Sequence, residues 1–151
     1  FRECIEASKI LKEDYAIGSR LYSITSYSEL EKDAKSVLRQ NTLSPANKKQ
    51  NYLQQLICNE DPIIATSDYV RAYSQLISSH TNNKFLAMGT DGFGRSDTRK
   101  NLRNFFEVDS KHIVVSSLYT LYEDKKIPLQ LLEKAIKKYN FNNNKNNPWE
   151  V

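Results

Sequence analysis

The sequence predicts an α/β domain, a three-layer αβα sandwich whose mostly parallel sheet is covered by helices on both faces. Three observations lead there. Short apolar runs alternate along the chain with longer stretches of helical periodicity. Three of the four glycines fall in one segment, Gly89-Thr90-Asp91-Gly92-Phe93-Gly94, between such a run and such a stretch. The 151 residues, 39% of them hydrophobic, suffice for one domain with its own core.

The elements follow in chain order. Residues 2–14 are helical in composition, with Cys4, Ala7 and Leu11 on one face and Gly18 as the stop. Residues 17–25 contain Leu21-Tyr22-Ser23-Ile24-Thr25, rich in β-branched and aromatic side chains, and read as a strand. Ser26-Tyr27-Ser28-Glu29 has the spacing of a capping box, and Leu30, Ala34, Val37 and Leu38 continue one helix face to about Asn41. Residues 41–51 are polar and turn-rich, a surface loop, and a short helix is expected between Asn51 and Cys58. Pro62-Ile63-Ile64-Ala65-Thr66, between Asp61 and Asp68, is a buried strand. Val70, Tyr73, Leu76 and Ile77 mark a helix face, and Phe85 to Met88 forms the third strand. Leu102, Phe105 and Phe106 belong to a short helix. Asp109 or Ser110 caps a longer one with Ile113, Val114, Leu118 and Leu121. Pro128 suits a first helical position, and Leu129, Leu132, Ile136 and Tyr139 give the last helix its core stripe. The domain is expected over residues 1–141. The Asn- and Lys-rich residues 142–151 form a tail from which Pro148-Trp149 is able to dock back. Three strands are thin for such a layer. The chain also opens on a helix, at Phe rather than Met, so a strand upstream and a longer parent polypeptide are expected.

The candidate site is the glycine loop: Gly89, Asp91, Gly92, Phe93, Gly94, Arg95, Ser96 and Asp97. Glycines gather where the backbone needs positive φ or a close approach. Asp97 or Ser96 is placed to cap the helix that follows. Two readings are open. A helix N-terminus with Arg95, Arg99 and Lys100 beside it is able to bind an anion. Against that, the spacing is neither G-x-G-x-x-G nor G-x-x-x-x-G-K-[ST], so the preferred reading is a structural corner fixing a strand against a helix.

The remaining composition narrows the function. A net charge of +4, with lysines spread rather than striped, does not indicate nucleic-acid binding. Cys4 and Cys58 match no metal spacing. They read as free thiols in a reducing cytoplasm, with one long-range disulfide as the alternative. His80 and His112 read as packing or surface residues. No apolar run has the length of a membrane span, and no secretory signal is visible.

The segment Gly89-Thr90-Asp91-Gly92-Phe93-Gly94-Arg95-Ser96-Asp97, with Arg99, Asn101-Leu102-Arg103 and Phe106-Glu107-Val108-Asp109, resembles the C-terminal domain of bacterial homodimeric pyruvate dehydrogenases, in the transketolase-like superfamily. Asp14-Tyr15, Gly18-Ser19, Ser23-Ile24-Thr25-Ser26, Glu29-Leu30, Ala65-Thr66-Ser67-Asp68-Tyr69 and Asn147-Pro148 agree in the same order. The Asn41 to Asn51 loop and the tail depart most from that pattern. The resemblance implies a transketolase C-terminal-like domain, third in a longer polypeptide. That polypeptide would decarboxylate pyruvate on thiamine diphosphate and magnesium and reductively acetylate the lipoyl group of a dihydrolipoyl acetyltransferase core. In such enzymes the first two domains hold the cofactor, and the third packs against them and against the second subunit of a homodimer. None of the family's thiamine-site motifs lies here, so the resemblance carries over no catalytic, cofactor-binding or metal residue, and the chain alone is expected to be inactive. A transketolase-type enzyme acting on sugar phosphates and a stand-alone anion- or protein-binding module are the alternatives.

Overall fold

The computed structural model describes residues 1–141 and 144–150. Helix α1 (Arg2–Tyr15) buries Ala7 and Leu11, one turn apart on the face the periodicity predicts. It stops at Ala16 rather than at Gly18. Ala16 takes φ 55°, and its N–H and that of Ile17 both reach the Leu11 carbonyl. The expected strand over residues 17–25 does not form: residues 16–25 run irregularly, with Leu21 and Tyr22 exposed. Strand propensity expresses a fit to a half-covered sheet surface, and among the described residues no strand lies beside this segment to supply one.

Helix α2 (Tyr27–Leu43) is capped by Ser26, whose hydroxyl accepts from the Glu29 N–H at 3.3 Å. The return arm of the expected capping box is replaced by an ion pair, because the Glu29 carboxylate lies 2.7 Å from Lys32 Nζ. The polar loop after α2 contains a 3₁₀ turn at Pro45–Asn47 and ends at Asn51. Asn51 is buried, not a surface residue. It forms a reciprocal cap with Gln54 at the start of α3 (Tyr52–Leu56), and its Nδ2 donates to the His80 carbonyl at 3.1 Å. Burial is tolerable for this amide because these bonds satisfy it.

Among the described residues two strands form, not three: β1 (Ile63–Thr66) and β2 (Phe85–Met88) pair in parallel, Ile63 opposite Phe85 and Thr66 opposite Met88. The crossover carries α4 (Arg71–Gln75) and a 3₁₀ turn at Ser78–His80. The inward face of this stretch is Ser74 and Ile77; the expected Val70 and Tyr73 are largely outside it. After β2 come α5 (Arg99–Phe105), α6 (Ser110–Glu123) and α7 (Leu129–Tyr139).

Alternation along the strands sends Ile64 and Met88 into a cluster with Ala7 and Leu11 of α1, Val114 and Leu118 of α6, and Leu132 and Ala135 of α7. Ala65 and Ala87 point the other way and are also buried, and α4 packs on both strands. Helices on both faces of a parallel sheet make this an α/β domain of the expected class, on a smaller sheet. The α7 stripe runs through Leu132 and Ala135, with Leu129 exposed, and Pro128 stands one residue outside as the N-cap. Cys4 and Cys58 are both free; Cys4 is half-buried, and burial pushes its thiol above the ordinary value. Of the tail expected over 142–151, Asn142, Asn143 and Val151 lie outside the described residues, while residues 144–150 return to the glycine loop and bury Pro148.

Candidate functional site

The loops after β1 and β2 leave the same edge of the sheet, and the glycine segment knits them together. The Thr90 N–H donates to the Tyr69 carbonyl at 2.9 Å, and the Thr90 hydroxyl to the Asp68 carbonyl at 3.1 Å. Gly89 is pressed into this junction. A Cβ there would run into the Tyr69 carbonyl oxygen and lie 2.7 Å from the Arg71 nitrogen, so only glycine lets the two loops approach.

Asp91 takes up the start of α4. Its Oδ1 accepts from the Arg71 N–H at 2.8 Å, and its Oδ2 lies 2.7 Å from Arg71 Nε. A carboxylate at a helix N-terminus is favoured by the dipole, whereas Arg71 alone in that first turn would be disfavoured. The guanidinium of Arg71 also lies over the ring of Trp149, 4.7 Å from its centre. Gly92, at φ 102°, is packed beneath that tail: a Cβ would stand 2.8 Å from Trp149 Cα. Gly94 meets nothing within 4 Å, so its position imposes no steric demand. Phe93, at the tip, is 81% exposed.

The helix cap is shifted by one residue from the expected one. Thr98 caps α5, its hydroxyl accepting from the Asn101 N–H at 3.3 Å. Asp97 braces the cap from outside, accepting from the Thr98 N–H at 2.6 Å and from Asn101 Nδ2 at 2.9 Å. The backbone bond from Thr98 and then the Asn101 amide hold its carboxyl below the ordinary value. Thr98→Ala is therefore expected to cost about 1 kcal/mol in urea unfolding. Asp97→Ala, which leaves the hydroxyl cap in place, is expected to cost less.

Arg95 lies over the Phe105 ring, 4.3 Å from its centre, on the wall of an open hollow it shares with Ser96, Asp97, Asn101 and Leu102. Arg99 and Lys100 are exposed. A second network runs behind the loop: Arg103 bridges Asp68 at 3.2 Å and Glu3 at 3.1 Å, and Glu3 accepts from the Ser110 N–H at 3.0 Å. The carboxylates of the two networks hold arginine or backbone partners, and Asp97 holds its cap. Among the described residues no group of three or more His, Cys, Asp or Glu is arranged to hold a metal ion, and no helix is long and apolar enough to cross a membrane.

Sequence reasoning missed Arg71, Arg103, Glu3 and Thr98. Two carried a signal. Thr98 stands three residues before Asn101, the spacing of a side-chain cap. Arg71 opens a helix, where a cation calls for an acid to offset the dipole.

The parallel strands and the helices on both their faces define an α/β domain with its glycine junction at the strand ends. The sequence profile described as the transketolase-like TK C-terminal domain matches residues 1–109, and the chain belongs to that family. Along its length it is similar to a pyruvate dehydrogenase E1 component of Cupriavidus necator, 39% identical over 100% of the chain and 17% of the relative. A Pseudomonas aeruginosa protein described in the same words is 41% identical over 97% of the chain, and that of Escherichia coli K12 is 38% identical over 97%. The chain spans about 17% of the length of the curated relatives it matches.

Proposed function

We propose that the chain is the C-terminal assembly domain of a pyruvate dehydrogenase E1 component. The carrying observation is the similarity to the C-terminal part of those relatives, sustained over 97% or more of the chain. The parent polypeptide decarboxylates pyruvate and passes the two-carbon unit to the lipoyl disulfide of a dihydrolipoyl acetyltransferase core, leaving an acetyl thioester and a thiol. Thiamine diphosphate with magnesium, held by the preceding domains, supplies the electron sink that no side chain offers. Assigning the cofactor to those domains is supported by the loop carboxylates, which are already bound, Asp91 to Arg71 and Asp97 to Thr98 and Asn101.

The chain's own part is to present a fixed edge. The glycine junction, from Gly89 to Asp97, sets the two loops at the strand ends, and Phe93 with the partly exposed Tyr69 and Tyr73 offers apolar contact there. Preceding domains of the same polypeptide and a second subunit of a homodimer are the partners this edge serves, in the cytoplasm. The test uses the full-length protein with thiamine diphosphate and magnesium. It is expected to reduce an artificial electron acceptor when given pyruvate, to show no comparable turnover of a ketose phosphate, and to run as a dimer in light scattering. Absence of pyruvate-dependent reduction refutes the assignment of activity. A monomer refutes the assembly role alone.

A further inference from the structure

We infer that residues 145–149 are a strap whose docking holds the glycine loop in its observed conformation. The loop is poorly held from within. Among the described residues, the Thr90 N–H bond to Tyr69 is the last backbone–backbone hydrogen bond before the Leu102 N–H reaches the Thr98 carbonyl. Between them the chain depends on side chains and on what lies against it.

The strap is fastened at two points. At one end Lys145 Nζ donates to the Phe105 carbonyl at 2.9 Å, lies 3.2 Å from Glu107 Oε1, and sits over the Phe105 ring, 5.4 Å from its centre. At the other end Trp149 covers the Arg71 guanidinium and closes over Gly92. Pro148, next to Trp149, is buried and belongs to that second fastening. Arg71 joins strap and loop, because the cation that Trp149 covers is the one that Asp91 holds at 2.7 Å. Gly92 completes the fit, since any side chain at φ 102° would be strained and would displace Trp149. Removing the ring exposes Arg71 to water, weakens its pull on Asp91 and opens the turn at Gly92. Strap and loop therefore order together, and an agent that lifts the strap also frees Phe93 and Arg95.

Hydrogen exchange in the full-length protein, resolved to single amides by fragmentation mass spectrometry, tests this. The amides of Arg71 and Thr90 report on the loop, since their partners are Asp91 and the junction. Trp149→Ala is expected to speed their exchange roughly tenfold and leave the amides of α6 unchanged, as a stacked cation worth about a factor of ten in local opening would. Trp149→Phe, which keeps a ring over Arg71, is expected to stay close to the wild-type rate. Lys145→Ala, which loosens only the far fastening, is expected to speed the same two amides by less. Unchanged exchange at Arg71 and Thr90 in Trp149→Ala overturns the inference. So does equal acceleration in α6, which would make Trp149 a support of the whole domain.

Discussion

Gly89→Val is expected to lower the urea midpoint further than any other single change in the glycine loop, with a loss of about 3 kcal/mol or more. The atoms a side chain would strike are backbone, the Tyr69 carbonyl and the Arg71 nitrogen and Cα, so no rotamer change relieves the contact. Relief requires the loop after β1 to move away. That movement breaks the Thr90 N–H bond to Tyr69 and draws Arg71 from Asp91. The other two glycines of the loop grade the effect. Gly92→Ala meets Trp149 and keeps a strained φ, and is expected to cost roughly 1–2 kcal/mol. Gly94→Ala, with open space around it, is expected to stay within about 0.5 kcal/mol of wild type. The loss for Gly89→Ala should exceed that for Gly94→Ala by more than 1 kcal/mol, a difference that denaturant titration resolves easily. Equal midpoints for these two variants would mean that the two strand-end loops are not locked at Gly89.

That ranking was only partly visible in the amino-acid order. The concentration of glycines marked the corner, but nothing in the residue types distinguishes Gly89, which needs the space, from Gly94, which does not. The requirement at Gly89 is made by Tyr69 and Arg71, some twenty residues away, and appears only when β1 and β2 pair. The strands themselves were legible because Ile63-Ile64-Ala65-Thr66 and Phe85-Leu86-Ala87-Met88 are compact apolar runs, none of whose residues is fully exposed and in which Ala65, Ala87 and Met88 are buried. The same residue preferences misled at Leu21-Tyr22, since a strand needs a neighbour as well as a composition. The helix faces of α1 and α6 were legible from spacing alone, as Ala7 and Leu11, and Val114 and Leu118, stand about one turn apart, with Ile113 beside the second pair. For α4 the pattern failed because the stretch is short: Ser74 is the buried residue, its hydroxyl donating to the Arg71 carbonyl, and no hydropathy pattern selects a serine. At the site, Asp91 was singled out while its partner Arg71 was not. Long-range ion pairs such as Arg103 with Glu3, a hundred residues apart, have no local signature.

Asp109→Ala is expected to cost about 2 kcal/mol near neutral pH, and that cost should shrink in acid. Asp109 caps α6 through the His112 N–H at 3.0 Å, accepts from His112 Nδ1 at 2.7 Å, and accepts from Asn104 Nδ2 at 3.1 Å. An ionised carboxylate offers only acceptors, so Nδ1 carries the proton in this pair. Stacking of the His112 ring on Phe141, 4.3 Å between centres, keeps the imidazole in place. Burial alone would push the Asp109 carboxyl up. The bonds from His112 and Asn104 outweigh it and bring the group down to about 2 from its ordinary 3.8. The sign follows from proton binding. In the unfolded chain the carboxyl takes a proton near its ordinary value, while the folded one resists until about 2, so folding is favoured by the ionised form. The contribution is complete above about pH 5 and is lost as pH falls toward 2, and a shift of roughly two units corresponds to about 2–3 kcal/mol. Asp109→Asn separates charge from capping, because asparagine caps a helix about as well as aspartate. The stability gap between wild type and Asp109→Asn should close steadily between pH 5 and pH 2 in urea titrations. A gap that stays constant across that range would show that the cap works through geometry alone and that the carboxyl titrates at its ordinary value.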